Sequence, residues 1–157
     1  MNIVLIVVGK NDEQWLEQGF LIYTNRLKHY INFETLILPV IKNAKNLSID
    51  ILKKKEGEMI LANLSSSDIV VLLDEHGKHY SSLDFSGYIN QKMNSGIKRF
   101  VFVTGGPFGF SQDVYNRANE KISLSKMTFS HQMVRLFFVE QLYRAMSILK
   151  GEKYHHE

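Results

Sequence analysis

Three short segments of the chain carry glycine, hydroxyl and charged residues at points where apolar stretches end. They are residues 73–77, 104–109 and 123–131. Ligands of open parallel sheets collect beyond the carboxyl ends of the strands, so one site could gather all three segments. The adjacent glycines Gly105 and Gly106 would let the backbone come close to a ligand.

The glycine pattern disfavours two common nucleotide sites. No G-x-G-x-x-G follows the first apolar stretch, where Gly9 stands alone, and no G-x-x-x-x-G-K-[ST] occurs. A dinucleotide-binding turn and a P-loop are therefore not expected. The chain has no cysteine, which excludes disulfides, thiolate metal ligands and cysteine nucleophiles.

The same segments also have purely structural interpretations. A Gly-Gly-Pro cluster at residues 105–107 is typical of a turn, and Leu73 is typical of a buried strand. Hydroxyl residues often form turns and helix caps, which would account for Ser125, Thr128 and Ser130. The residue types alone leave both interpretations open.

Two arginines of the last predicted helix, and two residues that follow this helix, are candidates for stabilising a charged substrate. Arg135 and Arg144 are nine residues apart in a predicted helix, so they face opposite sides and cannot share one site within a protomer. Glu140 precedes Arg144 by four residues, the favourable order for a surface ion pair of ~0.3–0.5 kcal/mol. Tyr154 and His155 follow the helix, and terminal residues are ordinarily disordered.

The histidines do not indicate a metal site. His76 and His79 are three residues apart in a predicted loop with no carboxylate pair or cysteine nearby, which favours a solvated loop. His131 stands at a predicted helix start, where a local hydrogen-bonding role is commoner than catalysis. No metal is expected.

Strands alternate with helices along the whole chain, which predicts one α/β domain over residues 1–157 with a mostly parallel sheet and helices on both faces. Asp12 is predicted to cap the first helix, and the third strand to end at Asp74. The predicted strands cover residues 2–8, 33–38, 69–73, 100–103 and 122–124; the predicted helices start near residues 12, 48, 81, 111 and 131.

Composition is compatible with a polyanionic partner without identifying one. The 157 residues are 45% apolar and carry a net charge of +3, with a pI near 9.0. The first apolar run lacks a basic leader and a cleavage site, and no run approaches the ~20 residues that span a bilayer. We therefore expect a soluble cytoplasmic protein with no membrane partner.

An ordered set of short motifs extends over nearly the whole chain. They are VVGK at residues 7–10, KEG at 55–57, LD at 73–74, GK at 77–78, TGGP at 104–107, SLSKMTFSHQMVR at 123–135, EQLYRA at 140–145 and YH at 154–155. Together they resemble the ribosomal RNA large-subunit pseudouridine N3-methyltransferase family, a SPOUT-class family that uses S-adenosylmethionine. One departure is Ser130, where the family commonly has proline; it could loosen the entry to the last helix.

The resemblance implies a C-terminal trefoil knot and a homodimer with its site at the subunit interface. It implies methylation of N3 of a pseudouridine in 23S ribosomal RNA, within the assembled ribosome. The cofactor-binding residues implied for S-adenosylmethionine are Leu73, Gly105, Leu124, Ser125, Lys126, Met127, Thr128 and Phe129. The candidate catalytic residues are Arg144, Tyr154 and His155.

These roles follow from the chemistry of the base. Pseudouridine N3 must lose a proton, so a nearby cation such as Arg144 would favour the anion. His155, reaching with Tyr154 into the other subunit's site, would orient the base or relay the proton. Two rivals remain: a non-catalytic adenine-nucleotide-binding module, and a ribosome-associated RNA-binding factor that binds no methyl donor.

Overall fold

The computed structural model describes residues 1–156, in which strands and helices alternate. In chain order the elements are β1 (Asn2–Val8), α1 (Gln14–Leu27), β2 (Asn32–Leu38), a short 3₁₀ helix (Ala44–Asn46), α2 (Ile49–Ala62), β3 (Ile69–His79), α3 (Ser82–Met93), β4 (Arg99–Thr104), α4 (Gln112–Arg117), β5 (Glu120–Ser123) and α5 (His131–Leu149). Every predicted strand and helix is present. No helix within residues 1–156 is long and apolar enough to cross a membrane.

The five strands form one sheet in the order β2-β1-β4-β3-β5, and each neighbouring pair runs parallel. The inner strands have neighbours on both sides and helices above and below. Residues 3–6 of β1 and 70–72 of β3 are accordingly shielded completely from solvent. This burial on two faces explains why these strands are continuously apolar and do not alternate with polar residues.

Alternate residues of each strand point to opposite faces of the sheet, and each face has its own helices. On one face, Ile3 and Leu5 belong to a core that includes apolar residues of α1, α3 and α5. On the other face, Val4 packs in a core with Ile60 of α2 and Val114 of α4. The predicted α/β class with helices on both faces is confirmed.

Four helices begin at a serine whose hydroxyl accepts a hydrogen bond from the backbone N–H three residues later, an arrangement that contributes about 1 kcal/mol at each helix. The capping residues are Ser48 of α2, Ser81 of α3, Ser111 of α4 and Ser130 of α5. The expectation that Ser130 loosens the entry to α5 is therefore wrong, because its hydroxyl accepts from the N–H of Met133 at 3.3 Å.

Two predicted boundaries are also wrong. Asp12 does not cap α1: its backbone N–H donates to the side-chain oxygen of Gln132, and its carboxylate accepts from the Gln132 amide at 2.6 Å. The third strand does not end at Asp74, because β3 resumes its pairing with β5 and continues to His79. The trefoil knot stays a prediction.

Candidate active site

A cleft of about 410 Å³ opens at the carboxyl ends of β3, β4 and β5. Its walls come from residues 73–76, 104–110, 122–125 and 127–129, with His131 and Val134 of α5 along one side. The volume lies within the ~300–1,000 Å³ range of small-molecule sites. The structure thus brings together the three segments that the sequence analysis predicts to form one ligand-binding site.

The first wall exists because β3 changes its register against β5. Leu73 and Lys78 both pair with Ile122, so residues 74–77 bulge out of the ladder. Gly77 is required in this bulge, since a Cβ there would lie 2.5 Å from the backbone nitrogen of Ile122. The excursion carries three polar side chains to the rim of the cleft.

Asp74 places a nearly buried carboxylate in this wall, with its side chain 7% exposed. It accepts hydrogen bonds from the Tyr115 hydroxyl (2.5 Å) and the backbone N–H of His76 (2.8 Å). Burial alone would raise the pKa of Asp74, but these hydrogen bonds and the His76 ring lower it overall. Burial and the Asp74 contact raise the pKa of Tyr115, which stays a phenol and a donor. The wall therefore holds a fixed negative charge at neutral pH.

The second wall is a glycine loop that folds back on itself. The N–H of Gly109 donates to the carbonyl of Gly106 at 3.1 Å, and Gly109 has a φ of 81°. A Cβ on Gly105 would lie 3.2 Å from the Gly109 carbonyl group, and one on Gly106 would lie 2.5 Å from the Glu56 carboxylate. A side chain at either position would therefore force the loop or the Glu56 carboxylate to shift, and the two glycines leave bare backbone beside the cleft.

All but one of the residues predicted to bind the cofactor line the cleft. Those that do are Leu73, Gly105, Leu124, Ser125, Met127, Thr128 and Phe129. Lys126 is exposed and lies outside the lining. The Thr128 hydroxyl donates to Glu75 at 2.5 Å and so joins the third wall to the first across the rim.

The chemistry of the cleft fits S-adenosylmethionine. Leu73, Ile122 and Leu124 offer apolar surface for a purine, and the ionised Asp74 suits a ligand that carries cationic groups. Thr104 lines the cleft, and its hydroxyl is buried and has no hydrogen-bond partner among residues 1–156. In the same residues, no three histidine or carboxylate side chains come close enough to hold a metal ion.

The three predicted catalytic residues, Arg144, Tyr154 and His155, meet near the C-terminal end of α5. Together with Glu140 they form the tail cluster. Glu140 accepts from the Arg144 guanidinium (2.7 Å) and from the Tyr154 hydroxyl (2.9 Å). The Tyr154 ring packs edge-on against Tyr143, with centroids 4.7 Å apart. Tyr154 and His155 are therefore packed against α5, and they do not show the disorder that is ordinary for terminal residues.

The geometry of the tail cluster limits its proton chemistry. Arg144 Nη1 lies 3.5 Å from His155 Nδ1. A guanidinium can only donate, so a neutral His155 ring in this contact carries its proton on Nε2. Burial and hydrogen bonds to Tyr23 and Glu140 raise the pKa of Tyr154, which stays a phenol. His155 Nε2 is buried and has no hydrogen-bond partner among residues 1–156.

The tail cluster and the cleft are separate within one protomer. Val134 lines the cleft, whereas Arg144 does not, and these residues lie ten positions apart on α5. An α-helix rises 1.5 Å per residue, which puts about 15 Å between them along the axis. One substrate base could not contact both regions of the same protomer.

Two residues of α5 matter in ways that the sequence did not reveal. Arg135 is 1% exposed and donates to the carbonyl oxygens of Val8 (2.5 Å) and Gly9 (2.8 Å), so it fixes the helix to the end of β1. His131 lines the cleft, and burial, with the Arg135 charge as a lesser cause, lowers the pKa of its imidazole. The only sequence signal for these roles is that both residues lie in the first turns of α5, the end of the helix that faces the cleft.

Comparison with known families gives one match over nearly the whole chain. Residues 1–155 match the family model described as "Predicted SPOUT methyltransferase". Among solved structures, a Legionella pneumophila chain described as a methyltransferase in complex with bound SAM superposes with a TM-score of 0.50 at 11% identity. The match covers 92% of this chain and 66% of that one, and it shows a likeness of fold alone.

Curated relatives are similar from end to end. A protein of Christiangramia forsetii is 60% identical over 156 residues, which are 99% of each chain. Proteins of Parabacteroides distasonis and Flavobacterium johnsoniae are 58% and 57% identical over 100% of both chains. All three are named "Ribosomal RNA large subunit methyltransferase H".

Proposed function

Because the chain belongs to the SPOUT methyltransferase family, we propose that it transfers the methyl group of S-adenosylmethionine to N3 of a pseudouridine in 23S ribosomal RNA. The observation that carries the proposal is the cleft, in which apolar walls, an ionised carboxylate and an unpaired buried hydroxyl meet. Full-length relatives at 57–60% identity are named for methylation of large-subunit ribosomal RNA. We place the reaction on the assembled ribosome, in the cytoplasm.

The protein's task is to bind and align the two substrates and to favour the N3 anion, whose proton passes to solvent. When bound, S-adenosylmethionine supplies an electrophilic methyl group. The walls of the cleft hold the donor in line with the base, and alignment of this kind can contribute ~7–11 kcal/mol. Arg144 stabilises the N3 anion, and the Nε2–H of His155 orients the base by donating to it. Tyr154 donates to Glu140, which also accepts from Arg144, so Tyr154 helps to position the Arg144 guanidinium.

We propose that the working site is composite, with the cleft of one protomer and the tail cluster of its partner in a homodimer. The separation of about 15 Å along α5 supports this arrangement. Apolar side chains near the cleft are also exposed: Met127 by 75%, Phe108 by 49% and Phe137 by 38%. A second copy that covers them would bring a tail cluster to each cleft.

Selection of pseudouridine over uridine follows from the base. Both offer an N3–H, but pseudouridine also offers a free N1–H. A site that pairs with this donor can reject a base lacking it by well over ~100-fold, because its own polar group would stay unpaired. A domain with a charge of +3 also has little means of finding one nucleotide in bare RNA.

The test is methyl incorporation from labelled S-adenosylmethionine into ribosomal particles with and without the relevant pseudouridine. We expect efficient methylation only of the pseudouridine-containing particle. Equal rates on both particles, or full activity on bare transcript, would contradict the proposal. Calorimetry separates the rivals: a nucleotide-binding module prefers ATP, and an RNA-binding factor binds no methyl donor.

A further inference from the structure

The last residue of β4, Thr104, carries a hydroxyl with no partner inside the fold. The residue is 1% exposed, and its Oγ1 accepts and donates no hydrogen bond among residues 1–156. Three other buried side-chain atoms in the described chain share this condition, on Asn2, Arg135 and His155. None of those three residues lines the cleft, whereas Thr104 does.

The packing of β4 gives no reason for a hydroxyl at this position. Phe100 and Phe102 precede Thr104 on the same side of the strand, and both lie in the apolar core that includes α5. Valine has the same shape as threonine and would fill this place without burying an unpaired polar group. Burial of such a group without a hydrogen bond disfavours the folded state. A hydroxyl at this position is therefore explained by a hydrogen-bond partner from outside the fold.

The neighbours of Thr104 indicate which part of a ligand it meets. Thr104 pairs with Leu73 on β3, and Leu73 pairs with Ile122 on β5, which makes a row at the strand ends. The hydroxyl therefore stands beside two apolar side chains, a setting for a flat heterocycle with polar atoms at its edge. Asp74, which suits cationic groups, lies one position further along β3 and already accepts from Tyr115.

We infer that the Thr104 hydroxyl is a cofactor-contact group that hydrogen-bonds a polar atom of the adenosyl part of S-adenosylmethionine. The inference rests on the proposed function and adds to it the one side-chain hydroxyl in the cleft that is buried and unpaired within residues 1–156. A hydroxyl can both donate and accept, so it can serve either kind of edge atom.

The test compares Thr104→Val, which removes only the hydroxyl, with Thr104→Ser, which keeps it. Calorimetry measures the affinity for S-adenosylhomocysteine and for 5′-methylthioadenosine, which lacks the amino-acid part. Thr104→Val should bind both ligands about tenfold more weakly, as expected for one lost hydrogen bond, whereas Thr104→Ser should stay within about twofold of wild type. Without ligand, Thr104→Val should melt at a higher temperature than wild type, because its buried unpaired group is gone.

The opposite signs of these two effects distinguish the inference from a structural role. Unchanged affinity in Thr104→Val would overturn it, and so would a fall in melting temperature alongside the fall in affinity. Weaker binding of S-adenosylhomocysteine alone would overturn the adenosyl assignment. If the wild-type protein bound neither ligand, the proposed function itself would fail, which is a different result from a loss confined to the variant.

Discussion

Replacing Arg135 with methionine should destabilise the fold far more than the same change at Arg144, although both arginines lie on α5. Arg135 is 1% exposed, and its guanidinium donates to the carbonyl oxygens of Val8 and Gly9 and to the Asn11 side chain at 3.2 Å. Methionine fills a similar volume but offers no donor. The buried carbonyl oxygens at the end of β1 would lose their partner.

The size of the effect follows from those contacts. Each carbonyl left unpaired costs about 1–3 kcal/mol, and removing a buried charge offsets part of the sum, which leaves a loss of about 2–5 kcal/mol. In a domain of this size each kcal/mol lowers the melting temperature by about 2–4 °C, so we expect a fall of roughly 4–20 °C. Arg144 forms a partly exposed ion pair with Glu140, worth about 0.5 kcal/mol, which predicts a fall below about 2 °C.

Thermal and guanidinium unfolding of the two variants, followed by circular dichroism, would measure both falls under identical conditions. The slope of the guanidinium transition should stay at the wild-type value in both, which shows that the same surface is exposed on unfolding. If the two variants melted within about 2 °C of each other, the anchoring role of Arg135 would be refuted.

Three further predictions concern protonation and assembly. Burial raises the pKa of Glu56 above its ordinary 4.5, so its ionisation opposes folding as pH rises; Glu56→Gln should raise the melting temperature at pH 7.5 but not at pH 4, and no gain at pH 7.5 would contradict this. Burial lowers the pKa of His131 below 6.5, so its contribution to stability is complete above pH 6.5 and is lost as pH falls. His131→Gln should flatten the fall in melting temperature between pH 7 and pH 5, and parallel curves for the two proteins would argue against it. Mixing a Thr128→Trp protomer with an Arg144→Ala protomer should restore about a quarter of wild-type methylation, since half of the dimers would hold one intact composite site; no recovery after verified subunit exchange would indicate self-contained sites.

The sequence predicted the sheet because burial on both faces leaves a mark on composition. Residues 3–8 and 69–73 are apolar without alternation, as strands covered by helices on both sides must be. The segments around the cleft were also predictable, because a parallel sheet brings the ends of its strands to one edge. The identity of the ligand came from the ordered motifs, since no charged signature marks the site.

Other features depend on pairings that no local pattern shows. Arg135 looks like a surface residue of a helix until its partners are known, and they lie 126 and 127 positions earlier in the chain. The bulge in β3 depends on Ile122 pairing with both Leu73 and Lys78. The missing partner of Thr104 becomes apparent only when every neighbouring atom is placed.

The attachment of α5 to the end of β1 has a consequence for how the cleft comes into existence. Arg135 and Gln132 bond to residues 8–12, which are synthesised at least 120 positions before them. Contacts between such distant positions form late in folding, because closing a long loop costs entropy before the contacts can stabilise the chain. A nascent chain that stops before α5 can assemble strands but cannot complete the wall that His131 and Val134 provide. The complete cleft therefore forms only after α5 has been translated and has packed against the end of β1.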